Sequence, residues 1–172
     1  MTVPKPFKTS VLLLVLALPV AFAQQLYLGA TLGTPLASAN DMESITGSSE
    51  LGAQFGLDFL PSFGIRAAIE GNPSDGGFKL ASGDTIFRFY LPLSPNSVYA
   101  GVGADAYFST QPDAARDFED ADLVAHALAG LEFRLGRFGL FAEALPSYVL
   151  GNSFSGSDAY YLRARSGINF HF

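Results

Sequence analysis

Apolar and polar residues alternate with a period of two along most of this chain, in eight separate segments. The clearest segment, 50–59, places Leu51, Phe55 and Phe59 on one face and Gln54 and Asp58 on the other. Such alternation is typical of β-strands whose two faces meet different surroundings. The eight segments are 26–33, 50–59, 63–70, 79–91, 98–108, 123–135, 138–150 and 160–172. The pattern therefore predicts an all-β fold of eight strands.

The connections between these segments alternate in length. Three are short, at 60–62, 92–97 and 136–137, whereas those at 34–48, 71–77, 109–122 and 151–158 are polar and longer on the whole. An even strand number with short turns on one side and longer loops on the other is typical of bacterial outer-membrane barrels. We therefore expect a transmembrane eight-stranded antiparallel up-and-down β-barrel, with both chain ends on the short-turn side. The alternation blurs at Ser82-Gly83, where a β-bulge is expected.

The first 23 residues have the pattern of a secretory signal peptide. Lys5 and Lys8 precede an apolar run at 11–20, and Ala21 and Ala23 supply the small residues that signal peptidase needs. The run is shorter than the ~18 apolar residues of a spanning helix. We predict cleavage before Gln24, which leaves a single barrel domain at 24–172.

Charge and cysteine content limit the function classes. Two of the 10 basic residues leave with the signal peptide, so eight remain against 16 acidic residues. This balance argues against a nucleic-acid partner. The chain has no cysteine, so neither disulfides nor thiol chemistry are expected, and no cofactor is predicted.

The composition of the two faces decides which one points outward. A soluble, lipocalin-like barrel needs a charged exterior, whereas the second face here consists mainly of glycine, tyrosine and one or two ionisable residues per strand. We therefore expect the Leu, Ala and Phe face to contact membrane lipid, and the glycine-rich face to line a narrow interior. The soluble carrier remains a minor alternative.

The face assigned to the interior carries six acidic residues and five arginines. Buried charges of opposite sign can satisfy one another through paired hydrogen bonds, so we predict an interior ion-pair network. We expect Arg66, Arg88 and Glu132 to share a layer near the short turns, with Glu70, Asp84, Asp105 and Arg165 at mid-height. The predicted network comprises Glu50, Arg66, Glu70, Asp84, Arg88, Asp105, Glu132, Arg134, Glu143, Arg163 and Arg165.

The last eight residues end in alternating aromatics behind a polar residue and a glycine. Gly167, Phe170 and Phe172 match the signal polar-x-Gly-x-x-aromatic-x-aromatic on the final strand of outer-membrane barrels. With the strand count and loop asymmetry, this makes the chain resemble the small OmpA and OmpX-type outer-membrane barrels. The resemblance implies a bacterial outer-membrane protein that contacts membrane lipid, and the barrel-assembly machinery and periplasmic chaperones during biogenesis. It also implies a monomer.

Several functions fit such a barrel. A structural or surface-interaction role, with an extracellular partner bound through loops 34–48 and 109–122, is the main expectation, and a narrow small-solute pore is the alternative. A lipid A-modifying enzyme is a minor alternative, because His126 falls on the inward face and His171 near the periplasmic mouth, so no catalytic residue is predicted. The acidic loop 109–122 is more consistent with a solvated loop than with a cation site, since it lacks the spacing of a calcium loop, and no metal site is predicted.

Overall fold

The computed structural model describes residues 25–38, 49–72, 77–107, 122–150 and 160–172. The predicted signal peptide with its cleavage site lies outside these residues, as do most of loops 34–48 and 109–122. Eight strands occupy nearly all of the described chain. They are β1 (Gln25–Ser38), β2 (Glu50–Leu60), β3 (Phe63–Asn72), β4 (Gly77–Tyr90), β5 (Ser97–Tyr107), β6 (Asp122–Leu135), β7 (Phe138–Val149) and β8 (Tyr160–His171).

The strands form one closed antiparallel barrel in which each pairs with its neighbours in sequence. The barrel closes where β1 pairs with β8, from Tyr27 opposite His171 to Ser38 opposite Tyr161. Closure leaves no strand edge unpaired, as a barrel surrounded by lipid requires. The predicted fold class is therefore confirmed. No helix in the described ranges is long and apolar enough to cross a membrane.

The turns at one end of the barrel are short. Gly136 takes a φ of +63° in the two-residue link between β6 and β7, a backbone conformation that glycine adopts without steric cost. Leu93 has a φ of 56° in the link between β4 and β5, where the Ser94 amide donates to the Leu91 carbonyl. We call this end the short-turn end and the opposite end the loop end.

The expected bulge at Ser82-Gly83 is wrong. Ser82 and Gly83 pair in regular register with Ala68 and Ala67 of β3, and the register shifts further along, where Gly71 pairs with Phe78. Both residues of the blurred segment are small, so the pattern weakened there without an extra residue in the strand. The additional residue lies between Phe78 and Leu80.

The outer wall of the barrel is apolar. Phe89 and Val102 are each 62% exposed and Leu131 is 55% exposed. Aromatic side chains pack against one another at the short-turn end, where the Phe138 and Phe170 ring centroids lie 5.3 Å apart. Tyr148 and Tyr160 form a similar pair at the loop end, at 4.7 Å. Aromatic side chains near both ends of an apolar band are typical of membrane barrels.

Candidate functional site in the charged barrel interior

The interior of the barrel is filled with charged side chains. Ten of the eleven predicted network residues are buried, while the Arg134 side chain retains 13% exposure at the short-turn end. The contacts divide the interior into three groups, defined here by their residues. The central cluster consists of Arg66, Asp84, His126, Glu143 and Arg165. The lower cluster, at the short-turn end, consists of Tyr27, Asp58, Arg88, Tyr99, Glu132, Arg134 and His171. The upper cluster, at the loop end, consists of Glu50, Glu70, Asp105, Tyr107, Tyr161 and Arg163.

Arg66 holds the central cluster together. Its Nη1 and Nη2 donate to the two carboxylate oxygens of Glu143, both at 3.0 Å, and its Nε donates to Asp84 at 2.7 Å. Arg165 approaches Glu143 from the other side, with Nε 2.6 Å from Oε1. Bidentate pairing of this kind fixes the guanidinium in one orientation, so strands β3, β4, β7 and β8 are joined through the barrel axis.

His126 lies between two carboxylates. Its Nε2 is 2.7 Å from Asp84 Oδ1, and its Nδ1 is 3.2 Å from Asp105 Oδ2. An ionised carboxylate only accepts hydrogen bonds, so Nε2 donates to Asp84, while Nδ1 faces Asp105 without a hydrogen bond. His126 therefore lies between Asp84 of the central cluster and Asp105 of the upper cluster.

Arg88 closes the interior near the short-turn end. Its Nη1 donates to Glu132 at 2.6 Å, and its Nε lies 3.5 Å from Asp58. The Tyr27 and Tyr99 rings lie beside the guanidinium, with centroids 5.4 and 5.2 Å from Cζ. A cation between two aromatic rings is held by the ring quadrupoles as well as by its ion pairs.

Glu132 also accepts from His171 on the final strand, whose Nε2 lies 2.6 Å from Oε1. Arg134 contacts the other ring nitrogen of His171 and donates to Gln25 at 2.8 Å. Since arginine has no acceptor, His171 accepts at Nδ1 and donates at Nε2. The two histidines therefore have different contacts: both ring nitrogens of His126 face carboxylates, whereas His171 accepts from an arginine and donates to a carboxylate.

The upper cluster is looser. Arg163 lies 3.7 Å from Glu50, 3.6 Å from Glu70 and 3.6 Å from Asp105. Its Nη1 donates to the Tyr107 hydroxyl at 3.1 Å, and Tyr107 shares a 3.0 Å hydrogen bond with Tyr161. Within the described part of the chain, Glu70 Oε2, Asp105 Oδ1 and Arg163 Nε have no hydrogen-bond partner. No group of three His, Asp or Glu side chains among those residues has metal-binding geometry.

Glycines on the inner face make room for the large side chains. The ring of Tyr27 lies against Gly56, and the ring of Tyr99 lies where a Cβ on Gly130 would stand, 2.6 Å from the ring carbon Cζ. Both pairs are register neighbours on adjacent strands. These glycines therefore allow two tyrosines and Arg88 to share one level of a narrow barrel.

The predicted layer containing Arg66 is wrong. Arg88 and Glu132 lie in one layer as expected and form an ion pair, but Arg66 contacts Asp84 and Glu143 in the central cluster. Counting residues from the turns ignores the tilt of the strands, which moves equally distant residues to different heights. Of the expected mid-height group, Glu70 and Asp84 lie near Arg165, whereas Asp105 contacts His126 and Arg163.

The predicted network lacks Asp58, both histidines, and the two tyrosines Tyr27 and Tyr99. Asp58 lies on the polar face of β2 and could have been included by alternation alone. Tyr27 and Tyr99 could have been found because each is on the inward face with a glycine at the paired position of the next strand.

A serine lies beside His126 but does not pair with it. Ser147 is opposite His126 in the ladder, yet its hydroxyl donates to the Leu145 carbonyl at 3.0 Å. Both nitrogens of His126 face carboxylates, so neither is available to take a proton from Ser147. This arrangement differs from a serine nucleophile with its histidine base.

A closed eight-stranded barrel with an apolar wall and an ion-paired interior has the fold of the small outer-membrane barrels, which confirms the predicted OmpA/OmpX-type architecture. Among solved structures, the N-terminal β-barrel domain of Pseudomonas aeruginosa OprF is similar, with a TM-score of 0.60 and 17% identity over 87% of this chain and 98% of that one. The outer membrane protein OprG from Pseudomonas aeruginosa aligns with a TM-score of 0.45 and 13% identity, over 87% of this chain and 96% of that one. No protein-family model and no curated protein matches the chain.

Proposed function

We propose that this chain is an integral protein of the bacterial outer membrane. The observation that supports this location is the apolar wall, which includes Leu28, Phe55, Phe87, Val98 and Leu131 among its exposed residues. An exposed apolar surface of this extent is an aggregation hazard in water. In a bilayer the same surface is solvated by acyl chains, and the closed ladder satisfies the backbone.

Within that membrane, we propose a structural and surface-interaction role for a plugged barrel. The single observation that carries this role is the central cluster together with Arg88, because these side chains cross the interior from several strands and are all buried. A rigid barrel of this kind can present the loops at 34–48 and 109–122 to an extracellular partner, since binding residues are often placed on loops held by a rigid scaffold. The barrel acts as a monomer in this proposal.

The same proposal includes the route of assembly. Gly167, Phe170 and Phe172 lie on β8 and at its end, and the Phe170 and Phe172 rings pack at 5.1 Å. We propose that these residues form the signal read by the barrel-assembly machinery, after periplasmic chaperones deliver a chain whose segment 1–23 has been removed.

A narrow pore for small solutes is the second candidate. The observation that favours it is the upper cluster, where buried donors and acceptors within the described ranges lack hydrogen-bond partners. Such groups gain from water, so water can enter from the loop end as far as the central cluster. Conduction would then require Arg66 or Arg88 to move.

The role we propose is not catalytic. It is supported by the surroundings of His126, whose two ring nitrogens face the carboxylates of Asp84 and Asp105. A lipid A mass spectrum of cells carrying wild type, His126→Ala or a deletion tests this point. An acyl pattern that changes in both altered strains would favour the enzyme.

Planar-bilayer recording distinguishes the plugged barrel from the pore. The purified wild type should insert without conductance steps, and Arg88→Ala, which leaves a gap between Tyr27 and Tyr99, should produce steps. Glu132→Ala tests the partner of Arg88, and Val98→Ala on the outer wall is the matched control that should stay silent. Reproducible wild-type steps that change size in Arg88→Ala and Glu132→Ala would instead establish the pore.

A further inference from the structure

The outer wall contains a groove of about 610 Å³ that crosses strands β5 to β8. Its apolar lining includes Val102, Ala125, Ala127, Pro146 and Leu162, and Tyr148 and Tyr160 stand beside it. The alanines and the proline are small enough to leave a depression in the wall. The volume lies within the range of about 300–1,000 Å³ that pockets for small ligands occupy.

Pro146 interrupts the ladder between β6 and β7 beside this groove. His126 pairs with Ser147 and Ala129 pairs with Ala144, so Ala127 stands opposite Pro146. The Leu150 amide donates to the Leu123 carbonyl at 2.8 Å, and hydrogen-bonded pairs recur at every second residue of an antiparallel ladder. Ala127 and Pro146 therefore occupy a hydrogen-bonded pair of the ladder. At such a pair the Ala127 carbonyl would accept a hydrogen bond from the backbone amide of residue 146 on β7.

Proline has no N–H to donate, so the ladder supplies no donor to the Ala127 carbonyl. In a membrane this is costly, because lipid tails offer no hydrogen bond to replace the missing one. Proline is depleted from strand interiors for this reason. An acceptor without a ladder donor thus lies beside an apolar groove.

Two tyrosines indicate how a lipid would be oriented in the groove. Tyr148 and Tyr160 lie at the loop end, with ring centroids 4.7 Å apart, and both are exposed. Tyrosine is enriched at membrane interfaces because its hydroxyl meets the polar layer while its ring stays in the apolar one. A lipid in the groove would therefore have its polar group near these tyrosines and its chain along Ala125 and Ala127.

We propose that the groove binds an acyl chain that carries a hydroxyl group, as in a 3-hydroxyacylated lipid of the outer leaflet. The hydroxyl donates to the Ala127 carbonyl and supplies the hydrogen bond that Pro146 cannot. The chain fills the depression between Val102, Pro146 and Leu162. This proposal rests on the membrane location proposed above and adds a lipid-binding site to it.

The test compares two probes that differ in one hydroxyl, 3-hydroxymyristic acid and myristic acid. Binding of each to the detergent-purified barrel is measured by native mass spectrometry. One neutral hydrogen bond corresponds to about a three- to tenfold preference for the hydroxylated acid in the wild type. Equal binding of the two acids would overturn the proposal.

Two variants separate the hydrogen bond from the groove. Pro146→Ala restores an N–H opposite Ala127, so it should keep binding both acids but lose the preference for the hydroxyl. Ala127→Leu should fill the groove and weaken the binding of both acids, whereas Ala53→Leu on the opposite wall is the control that leaves binding unchanged. A preference that persists in Pro146→Ala would contradict the role of the carbonyl.

The proposed membrane location and the proposed lipid site are tested by separate measurements. Heat-modifiable gel mobility of the membrane fraction reports whether each variant is a folded membrane barrel, independently of lipid binding. A folded barrel that does not distinguish the two acids refutes the site alone. A band without a heat shift in the soluble fraction refutes the membrane location.

Discussion

The central and upper clusters are built from the same residue types and are buried to a similar degree, yet their geometry differs. Arg66 makes three hydrogen bonds of 2.7–3.0 Å to Asp84 and Glu143. Arg163 lies 3.6–3.7 Å from three carboxylates and donates a hydrogen bond to Tyr107 at 3.1 Å. Burial and charge alone therefore do not make a tight ion pair. The central cluster joins four strands through short contacts, while the contacts of Arg163 with carboxylates in the upper cluster are longer, at 3.6–3.7 Å.

The largest expected difference comes from removing the two arginines. Arg66→Met should lower the free energy of unfolding by about 3–5 kcal/mol, because Asp84 and Glu143 lose their bidentate partner while they stay buried. Arg163→Met should cost less, about 1–3 kcal/mol, since its three ion pairs are 3.6–3.7 Å long and only the hydrogen bond to Tyr107 is short. Urea titration in lipid vesicles measures both values. Equal losses would show that the difference in distance has no energetic meaning.

Glycine substitutions test whether the two regions of the interior also differ in how tightly they are packed. Gly130→Ala should cost about 1–3 kcal/mol, because its Cβ would meet the Tyr99 ring and the Ala142 carbonyl. Gly33→Ala in the upper half should cost below about 0.5 kcal/mol, since the nearest atom is the tip of the flexible Glu70 side chain, 3.0 Å away.

Gly83→Ala is the reference for these two variants, because nothing lies within 4 Å of the added Cβ. The three proteins are compared by the temperature at which the folded band disappears on a gel. If Gly33→Ala melts as early as Gly130→Ala, the upper cluster is packed as tightly as the rest of the interior.

Two tyrosine hydroxyls test the same difference through single hydrogen bonds. Tyr99 donates to the Glu143 carboxylate at 2.9 Å, so Tyr99→Phe should cost about 1.5–3 kcal/mol, as for a hydrogen bond to a charged group. Tyr107→Phe removes hydrogen bonds at 3.0 and 3.1 Å in the upper cluster and should cost about 0.5–1.5 kcal/mol.

Stopped-flow unfolding from vesicles, followed by tyrosine fluorescence, gives the unfolding rate of each variant and ranks the two by their loss of stability. A larger loss in Tyr107→Phe would reverse the order of the clusters and would identify the loop end as the more stable part of the interior.

The strands and their faces could be predicted from the sequence because a period of two records the surroundings of each residue locally. For example, Asp105, Glu132 and Glu143 each stand between two apolar residues, and all three are buried. The short links at 61–62 and 136–137 were equally visible, since proline and glycine mark them. The first strand was predicted to end at Gly33 but continues to Ser38, because Thr34, Pro35 and Ser38 look like turn residues.

The partners across the barrel could not be predicted in the same way. Arg66 and Glu143 lie on β3 and β7, and no local pattern connects them. Which carboxylate an arginine reaches depends on the tilt of the strands and on the space that glycines leave, as Gly130 does for Tyr99. For this reason the predicted layer of Arg66 is wrong, while Arg88 and Glu132 lie in one layer as predicted.

The pairing of β1 with β8 has a consequence for how the protein folds. Tyr27 meets His171, and the Phe172 amide donates to the Leu26 carbonyl at 2.9 Å, so the seam joins the two ends of the described chain. Contacts between residues far apart in sequence slow folding, because a long loop must close before they form. Until then both strands expose unpaired edges, which makes the unfinished barrel vulnerable to aggregation. Formation of the β1–β8 seam therefore decides whether the chain closes into a barrel or remains open to aggregation.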